Sequence, residues 1–393
     1  VYETASDWVS DFLGQAFEGY RTFTSRVVAA TLTADRHWSR AQAGAGLLRM
    51  CALPRLLHPF RALSPEATDN FAEEADATSR AAYEQVLTAK LTTTSQQNQA
   101  ALPTRLGGCG MVRFKDLRAQ AWLGSWLGTL PAVRALAGPG LTTRDVITGS
   151  TKTWAAALRR AVEELAAEGI HLDHAGEVSS EPPATAWGWE DEAPALTRRQ
   201  RLLSRRRAEA ARGRLLQSLP DAARARLRSC GGAGAGAWIL ATPTGEATRF
   251  TDLEYKVCSR LRLRIPLHLE GAGKRCKNQR GGNLAGGAEP EAPGGECSKP
   301  LDADGFHALV CQVGGLVIRR YHSLRDAFAW IGRQAGYAVR TEVYEPAWTS
   351  ARTNAEGELE LDQARLDYRF EGPPSDLRIY EDSVVTHPEG SAC

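Results

Sequence analysis

Two runs near the end of the chain, LDQARLDYRF at residues 361–370 and LRIYEDSVVTHP at residues 377–388, decide the fold of its last part. Each run is strand-like, and Asp367 in the first and Asp382 in the second stand in an apolar context. Two carboxylates on adjacent strands can hold a divalent metal ion against a phosphodiester, which is the arrangement that metal-dependent cleavage requires. The stretch therefore predicts paired strands with an acidic, metal-dependent site.

A helix precedes these runs. The segment SLRDAFAWIGRQAG at residues 323–336 is helical in pattern and ends at a glycine, a usual C-terminal stop. Glu342 follows in a further strand-like run and would join the acidic cluster if the runs are neighbouring strands. A lysine often completes such a site, but Val384 stands two residues after Asp382. The pattern predicts one mixed sheet against the helix, with strands at residues 338–344, 362–370 and 377–386.

Upstream of this unit, thiol and imidazole groups of the type that binds zinc are separated by 20, 9 and 3 residues: Cys276, Cys297, His307 and Cys311. The His307–Cys311 pair has the close spacing that zinc sites commonly use. Cys276 is the weakest member, because a long loop separates it from Cys297. The alternative is a buried histidine with unrelated thiols. We expect zinc binding through at least Cys297, His307 and Cys311.

Composition limits the class of protein. A chain of 393 residues with 43% hydrophobic residues predicts two or three globular domains. Its eight cysteines are too sparse for a disulfide scaffold, and the sequence has neither an eighteen-residue apolar run nor a signal peptide. These features predict an intracellular protein without a membrane partner. Because the chain begins at Val1, we expect it to be a segment of a longer polyprotein.

Positive charge is concentrated in one segment. Residues 198–228 hold eleven arginines against Glu209 and Asp221, although the net charge of the chain is only +2. Such a run can neutralise several phosphates and favours sequence-independent nucleic-acid binding; the alternative is a solvated helix face. A second basic group opens the C-terminal helix, where a helix cap with solvated charges is the alternative. The candidate nucleic-acid contacts are Arg198, Arg199, Arg201, Arg205, Arg206, Arg207, Arg319, Arg320 and Arg325.

Several segments together resemble the C-terminal part of non-LTR retrotransposon polyproteins. In that family a zinc knuckle precedes a restriction-endonuclease-like domain, and the segments similar to these are CSKPLDADGFHALVC (297–311), RRYHSLRDAFAWIGRQAG (319–336) and RLDYRFEGPPSDLRIYEDSVVTHP (365–388). Three upstream segments resemble, in the same order, the region after the polymerase palm: WVSDFLGQAFEG (8–19), GLLRMCALPRLLHPFRALSP (46–65) and LPTRLGGCGM (102–111). The similarity spans most of the chain, except residues 155–235.

The resemblance implies site residues and cofactors. Asp367 and Asp382 correspond to the acids that bind catalytic Mg²⁺, with Glu342 as a third, and the cysteine–histidine set corresponds to the ligands of structural zinc. Leu366 replaces a proline of the family's pattern, and the first two knuckle cysteines normally lie closer together than Cys276 and Cys297. The chain also lacks the Tyr/Phe-Ala-Asp-Asp motif of the palm, so this segment does not itself polymerise.

The expected function is Mg²⁺-dependent nicking of DNA that primes reverse transcription, with DNA and RNA as partners and the nucleus as the place of action on DNA. The alternatives are a non-catalytic nucleic-acid-binding module and a degenerate retroelement fragment. The expected fold is α+β: a helical, thumb-like N-terminal region, a zinc-knuckle segment, and a small mixed α/β restriction-endonuclease-like domain. The corresponding divisions are a thumb-like region at 1–150, an insertion with the arginine-rich segment and a linker at 151–236, a basic helix with the knuckle at 237–315, and the truncated nuclease-like domain at 316–393.

Overall fold

A computed structural model of the protein describes residues 5–33, 39–137, 153–172, 178–179, 199–267, 273–278, 296–311, 313–314, 316–353, 359–362, 365–372 and 377–381. The chain divides into two compact units, Val1–Leu267 and His268–Cys393. This boundary lies inside the predicted segment 237–315, so its basic helix belongs to the first unit and its cysteine–histidine set to the second. The finer four-part division stays a prediction.

The first unit is helical. Its helices are α1 (Ala5–Thr33), α2 (Arg40–Leu47), α3 (Leu57–Ala62), α4 (Asp69–Leu87), α5 (Thr94–Ala101), α6 (Phe114–Ala137), α7 (Thr153–Ala167), α8 (Arg199–Ser218), α9 (Asp221–Ser229), α10 (Ala237–Leu240) and α11 (Asp252–Leu263). A π turn (Leu48–Ala52) and a 3₁₀ turn (Leu53–Leu56) join α2 to α3, and the short strands β1 (His171–Leu172) and β2 (Val178–Ser179) form a hairpin.

The main core of this unit is aromatic. Tyr20, Phe60 and Phe114, from α1, α3 and α6, are almost fully buried. The ring of Phe114 stacks on Phe60 at 5.3 Å between centroids and meets Tyr20 edge-on at 6.0 Å. Burying one large apolar side chain contributes about 1.5–3 kcal/mol. These ring contacts therefore stabilise the packing of three helices that are distant in sequence.

Helix α6 begins with a cap supplied by another helix. The Asp76 carboxylate on α4 accepts the backbone N–H groups of Phe114 and Lys115, which have no partner within α6. Burial raises the pKa of Asp76 to about 6, although these two hydrogen bonds lower it. The carboxylate therefore fixes the start of α6 against α4.

A second apolar cluster joins α6, α7 and α8. It contains Trp122, Leu123, Leu158 and Leu203, and Trp126 packs against it. Trp122 is 8% exposed and meets the Trp126 ring edge-on at 5.7 Å. The indole of Trp122 is thus a packing group. Helix α8, which carries most of the arginine run, is therefore an integral part of the first unit.

The second unit contains helices α12 (Phe306–Val310) and α13 (Leu316–Gln334) and strands β3 (Ala338–Tyr344), β4 (Ser350–Thr353), β5 (Leu359–Asp362), β6 (Arg365–Gly372) and β7 (Leu377–Glu381). Strands β3, β6 and β7 form one antiparallel sheet in that order, and β4 pairs with β5 in a separate hairpin. Antiparallel pairing replaces the mixed sheet predicted from the sequence, because the chain reverses direction between β6 and β7 over only four residues. The predicted run 362–370 is divided between β5 and β6.

Helix α13 packs on strands β3 and β6. Gly332 allows the close approach, because a Cβ atom there would lie 2.6 Å from the Phe370 ring and 2.9 Å from the Val339 side chain. The expected helix-against-sheet arrangement is therefore present in this unit. Helices with a small sheet place the whole protein in the α+β class, and among the described residues no helix is long and apolar enough to cross a membrane.

Candidate metal centre and acidic site

Backbone pairing brings two distant cysteines together. The N–H of Cys276 donates to the Lys299 carbonyl at 2.8 Å, and the N–H of Ser298 donates to the Cys276 carbonyl at 3.1 Å. The N–H of Cys297 donates to the Asn278 carbonyl at 2.9 Å. Residues 273–278 and 296–301 thus run alongside each other, and the long segment between them does not separate Cys276 from Cys297.

Helix α12 presents the histidine. The Asp302 carboxylate accepts the N–H groups of Phe306 at 2.8 Å and His307 at 2.6 Å, and Gly305 provides the left-handed conformation (φ 78°) before the helix. Burial raises the pKa of Asp302, but these hydrogen bonds outweigh it and hold the pKa below its usual value. Asp302 is therefore an anionic cap that fixes the helix carrying His307, with Cys311 at its C-terminal end.

The four predicted zinc ligands converge. The ligand atoms of Cys276, Cys297, His307 and Cys311 all lie within 4.8 Å of one another. Sγ of Cys276 is 3.9 Å from Sγ of Cys311, and Sγ of Cys297 is 3.4 Å from Nε2 of His307. A tetrahedral zinc ion, with bonds of ~2.3 Å to sulfur and ~2.0–2.1 Å to nitrogen, separates two sulfurs by about 3.8 Å and a sulfur from a nitrogen by about 3.6 Å. The cluster can hold a metal ion such as zinc.

The surroundings of the thiols favour metal binding. Cys276 and Cys311 are buried, and the Asn278 amide donates to Sγ of Cys311 at 3.5 Å. Burial raises the pKa of Cys311, but the hydrogen bond from Asn278 and others lower it below its usual value. Because the thiolate is the form that binds metal, Cys311 is poised as a ligand.

Cys276 is as close to the cluster as the other three residues, although its sequence position made it the weakest candidate. Its pKa is raised: the backbone of Asn278 lowers it, while burial and the neighbouring Cys311 and Cys297 thiols raise it by more. Thiols gathered around one point oppose one another's ionisation, and a shared cation relieves this by stabilising the thiolates.

Two of the three predicted acids lie at one place in the sheet. The register pairs Thr341 with Tyr368 and Val343 with Leu366, and Glu342 and Asp367 are the residues between these pairs. Glu342 has a φ of 56°, a left-handed conformation that residues other than glycine seldom adopt. Asp367 is 8% exposed, so its carboxylate is buried. Backbone strain at such a position is common at functional sites.

Helix α13 supplies partners to both carboxylates. The Tyr321 hydroxyl donates a short hydrogen bond to Asp367, and Arg325, one helical turn later, forms a close ion pair with Glu342. The same guanidinium donates to the Asp326 carboxylate at 2.8 and 2.9 Å. Arg325 was expected to contact nucleic acid; in the structure it is bound to two carboxylates.

The third predicted acid, Asp382, lies outside the described residues, which end at Glu381 in β7.

Arg319 and Arg320, at the start of α13, are exposed. Arg320 donates to the Leu309 carbonyl at 2.8 Å and Arg319 to the Gly314 carbonyl at 3.5 Å, so both guanidiniums touch the backbone next to the cluster.

The arginines of α8 differ in environment. Arg201, Arg205 and Arg206 are exposed, and the last two share Glu209 at 3.0 and 3.7 Å. Arg207 is only 7% exposed, which contradicts its expected role in contacting nucleic acid. Arg198 lies outside the described residues, and of Arg199 only the backbone, at the start of α8, is described.

Sequence reasoning missed the groups that support the site: Tyr321, Asn278 and Asp302. Asp302 has a recognisable signal, because Asp-Ala-Asp-Gly before a short apolar helix is a turn-and-cap pattern. Tyr321 and Asn278 have none, because only the tertiary fold brings them to Asp367 and Cys311.

Comparison with family models finds no match for this sequence, and comparison with curated proteins finds none either.

Proposed function

We propose that the cysteine–histidine cluster binds one structural zinc ion. The observation that supports this proposal is the convergence of three thiols and one imidazole, whose ligand atoms lie within 4.8 Å of one another, with two ligand pairs at 3.9 and 3.4 Å. A closed set of four protein ligands is typical of structural zinc sites, whereas catalytic sites keep one position open.

We further propose that the chain is the C-terminal segment of a non-LTR retrotransposon reverse transcriptase polyprotein, and that its second unit nicks DNA. The observation that carries this proposal is a cysteine–histidine cluster followed by helix α13 and a three-stranded sheet, with Glu342 and Asp367 at one point of that sheet. The order of these parts is that of the family which the sequence resembles. The expected partners are DNA and RNA, and the expected place of action on DNA is the nucleus.

In this proposal Asp367, Asp382 and Glu342 hold Mg²⁺. Asp382 directly follows Glu381, whose partner in the sheet is Tyr368, the neighbour of Asp367. Carboxylate oxygens are the ligands that Mg²⁺ prefers, and the bound ion polarises the phosphate and lowers the pKa of the attacking water. Tyr321 orients the Asp367 carboxylate by its hydrogen bond.

A supercoiled plasmid tests this function. The zinc-loaded chain should convert the plasmid to its nicked form when Mg²⁺ is present and not when EDTA is present. Asp367→Asn should reduce nicking by at least about 100-fold, since even residues that only support metal ligands contribute roughly 10- to 100-fold. Unchanged nicking by Asp367→Asn would exclude this residue from the site.

A non-catalytic nucleic-acid-binding module is the second candidate. It is favoured by the ion pair between Glu342 and Arg325, which occupies one acid, and by the exposed arginines on α8. This candidate predicts the same DNA binding without cleavage, so the plasmid assay separates the two.

Substitution of the exposed arginines of α8 gives a further prediction. Glutamine at Arg201, Arg205 and Arg206 should reduce the slope of log affinity against log salt for duplex DNA by about 2–3, because each phosphate contact contributes about 0.9. Equilibrium binding between 50 and 200 mM salt, a range of about fourfold, measures the slope. Deletion of the whole run is unsuitable, because Leu203 and Leu215 on α8 are core residues.

A matched triple variant controls for net charge. Arg21, Arg80 and Arg160 belong to other helices of the first unit, lie outside the basic run 198–228 and are exposed. Glutamine at these three positions removes the same charge and should leave the slope nearly unchanged. Equal slopes for the two triple variants would mean that α8 is a solvated face and not a binding surface.

A further inference from the structure

Arg325 binds two carboxylates that differ in solvent exposure. Its Nη1 atom forms the close ion pair with Glu342, while Nε and Nη2 donate to Asp326 at 2.9 and 2.8 Å. The Arg325 and Glu342 side chains are 16% and 20% exposed, whereas Asp326 is 64% exposed. The guanidinium therefore has one shielded partner in the sheet and one solvated partner on its own helix.

Asp367 accepts a hydrogen bond from a neutral group of the same helix, the Tyr321 hydroxyl. Helix α13 thus fixes both acids from residues one turn apart, by a hydroxyl at Asp367 and by a cation at Glu342. A divalent cation that binds Glu342 has to compete with Arg325 for the same carboxylate.

We propose that Arg325 is the resident counter-ion of the acidic site: it holds Glu342 while no divalent cation is bound and, when one binds, releases Glu342 and keeps its contacts to Asp326. The proposal deepens the proposed function, since it rests on Glu342 being a ligand of the divalent ion. Arg325 is a positioning residue in this account. It orients Glu342, prevents repulsion between unligated acids and sets how tightly the divalent ion binds.

The existing contacts of Arg325 explain why its release from Glu342 needs only a small movement of the guanidinium. The contacts to Asp326 already exist, so release of Glu342 breaks one contact and leaves the guanidinium with a hydrogen-bonded anion. A cation close to a metal site weakens divalent binding by Coulomb repulsion as well as by competition, and partial burial of the Arg325–Glu342 pair reduces screening by solvent. Substitution of Arg325 and of Asp326 should therefore have opposite effects.

Titration with Mn²⁺ tests the proposal on the full, zinc-loaded chain, with free Mn²⁺ measured by electron paramagnetic resonance. Arg325→Gln should bind Mn²⁺ roughly tenfold more tightly than the unsubstituted chain, because it removes the competing charge. Asp326→Asn should bind Mn²⁺ several-fold more weakly. Of its two carboxylate partners Arg325 then keeps Glu342, and it competes more strongly with the metal ion. Arg325→Lys, which keeps the charge, should remain close to the unsubstituted chain.

Arg333→Gln is the matched control. Arg333 lies near the C-terminal end of α13, is exposed and donates to the Val339 carbonyl, so its substitution removes the same charge from the same helix. Its Mn²⁺ affinity should be unchanged. Asp367→Asn should weaken binding and thereby identify the site that is being titrated.

The outcomes separate this proposal from the proposed function. Tighter Mn²⁺ binding by Arg325→Gln alone supports the counter-ion role, even for a chain that does not nick DNA. Mg²⁺-dependent nicking together with equal Mn²⁺ affinity of Arg325→Gln and Arg333→Gln overturns the counter-ion role and leaves the nuclease. Absence of a Mn²⁺ site that depends on Asp367 overturns both.

Discussion

Replacing Cys311 by serine is expected to abolish zinc binding and cooperative unfolding of the second unit. Among the described residues of this unit, the buried apolar side chains are Cys276, Cys311, Ala329 and Tyr368, so half of them belong to the cluster. The cluster is therefore a large part of the described core of this unit, and structural zinc contributes an apparent binding free energy of about 10–16 kcal/mol at pH 7. Metal analysis of the purified chain should fall from about one zinc to none.

Cys51→Ser is the control for this substitution, because Cys51 is an exposed thiol of the first unit. It should keep both the zinc and the thermal unfolding profile. Retention of one zinc per chain by Cys311→Ser would contradict the four-ligand site, and loss of zinc without loss of cooperative unfolding would contradict its structural role.

Replacing Arg207 by alanine is expected to destabilise the first unit by about 1.5–3 kcal/mol, the usual contribution of hydrogen bonds to charged groups. Arg207 is 7% exposed and forms a close ion pair with Glu168. It also lies 3.3 Å from the Glu164 carboxylate and donates to the Gln120 amide oxygen at 3.3 Å. Its loss removes the buried cation that these groups share, although Glu168 keeps Arg214 at 3.0 Å and Glu164 keeps Arg118 at 3.6 Å. Denaturant unfolding followed by circular dichroism measures the difference.

Arg206 provides the comparison, because it is the preceding residue on the same helix and is 49% exposed. Arg206→Ala should cost only about 0–1 kcal/mol, as exposed ion pairs usually do. If both variants lost the same small amount, the Glu168 network would be a surface feature, and Arg207 would return to the set of candidate nucleic-acid contacts.

The spacing of α8 could have predicted which arginine turns inward. Leu203, Arg207 and Leu215 lie on one face of the helix, the face that packs inward. Counting the arginines of the run does not show which of them lies on that face. Arg207 is therefore a cation on the apolar face. Its partner Glu168 follows the end of another helix, α7, and no local pattern could have identified it.

Donor chemistry was enough to predict the cysteine–histidine set, because few functions require three thiols and an imidazole close together. The position of Cys276 in this set depends on strand-like backbone pairing across twenty intervening residues. Sequence spacing alone therefore ranks Cys276 as a weak ligand candidate. Similarly, periodicity predicted the three strands of the sheet and the part of α13 from Ser323 onward, although the helix begins seven residues earlier, at Leu316. It could not predict the left-handed backbone of Glu342 or the Tyr321 contact to Asp367, because both depend on how the helix meets the sheet.

The end group of the nicked DNA tests the central claim most directly. Plasmid treated with the zinc-loaded chain and Mg²⁺ should carry a 3′-hydroxyl at the nick, so that a DNA polymerase extends it with labelled nucleotides without prior phosphatase treatment. Plasmid treated with Asp382→Ala should give no extension above the EDTA background, although this variant should bind DNA as tightly as the unsubstituted chain. Extension that is equal with both proteins, or absent with both, would contradict a nuclease that primes reverse transcription through this acidic site.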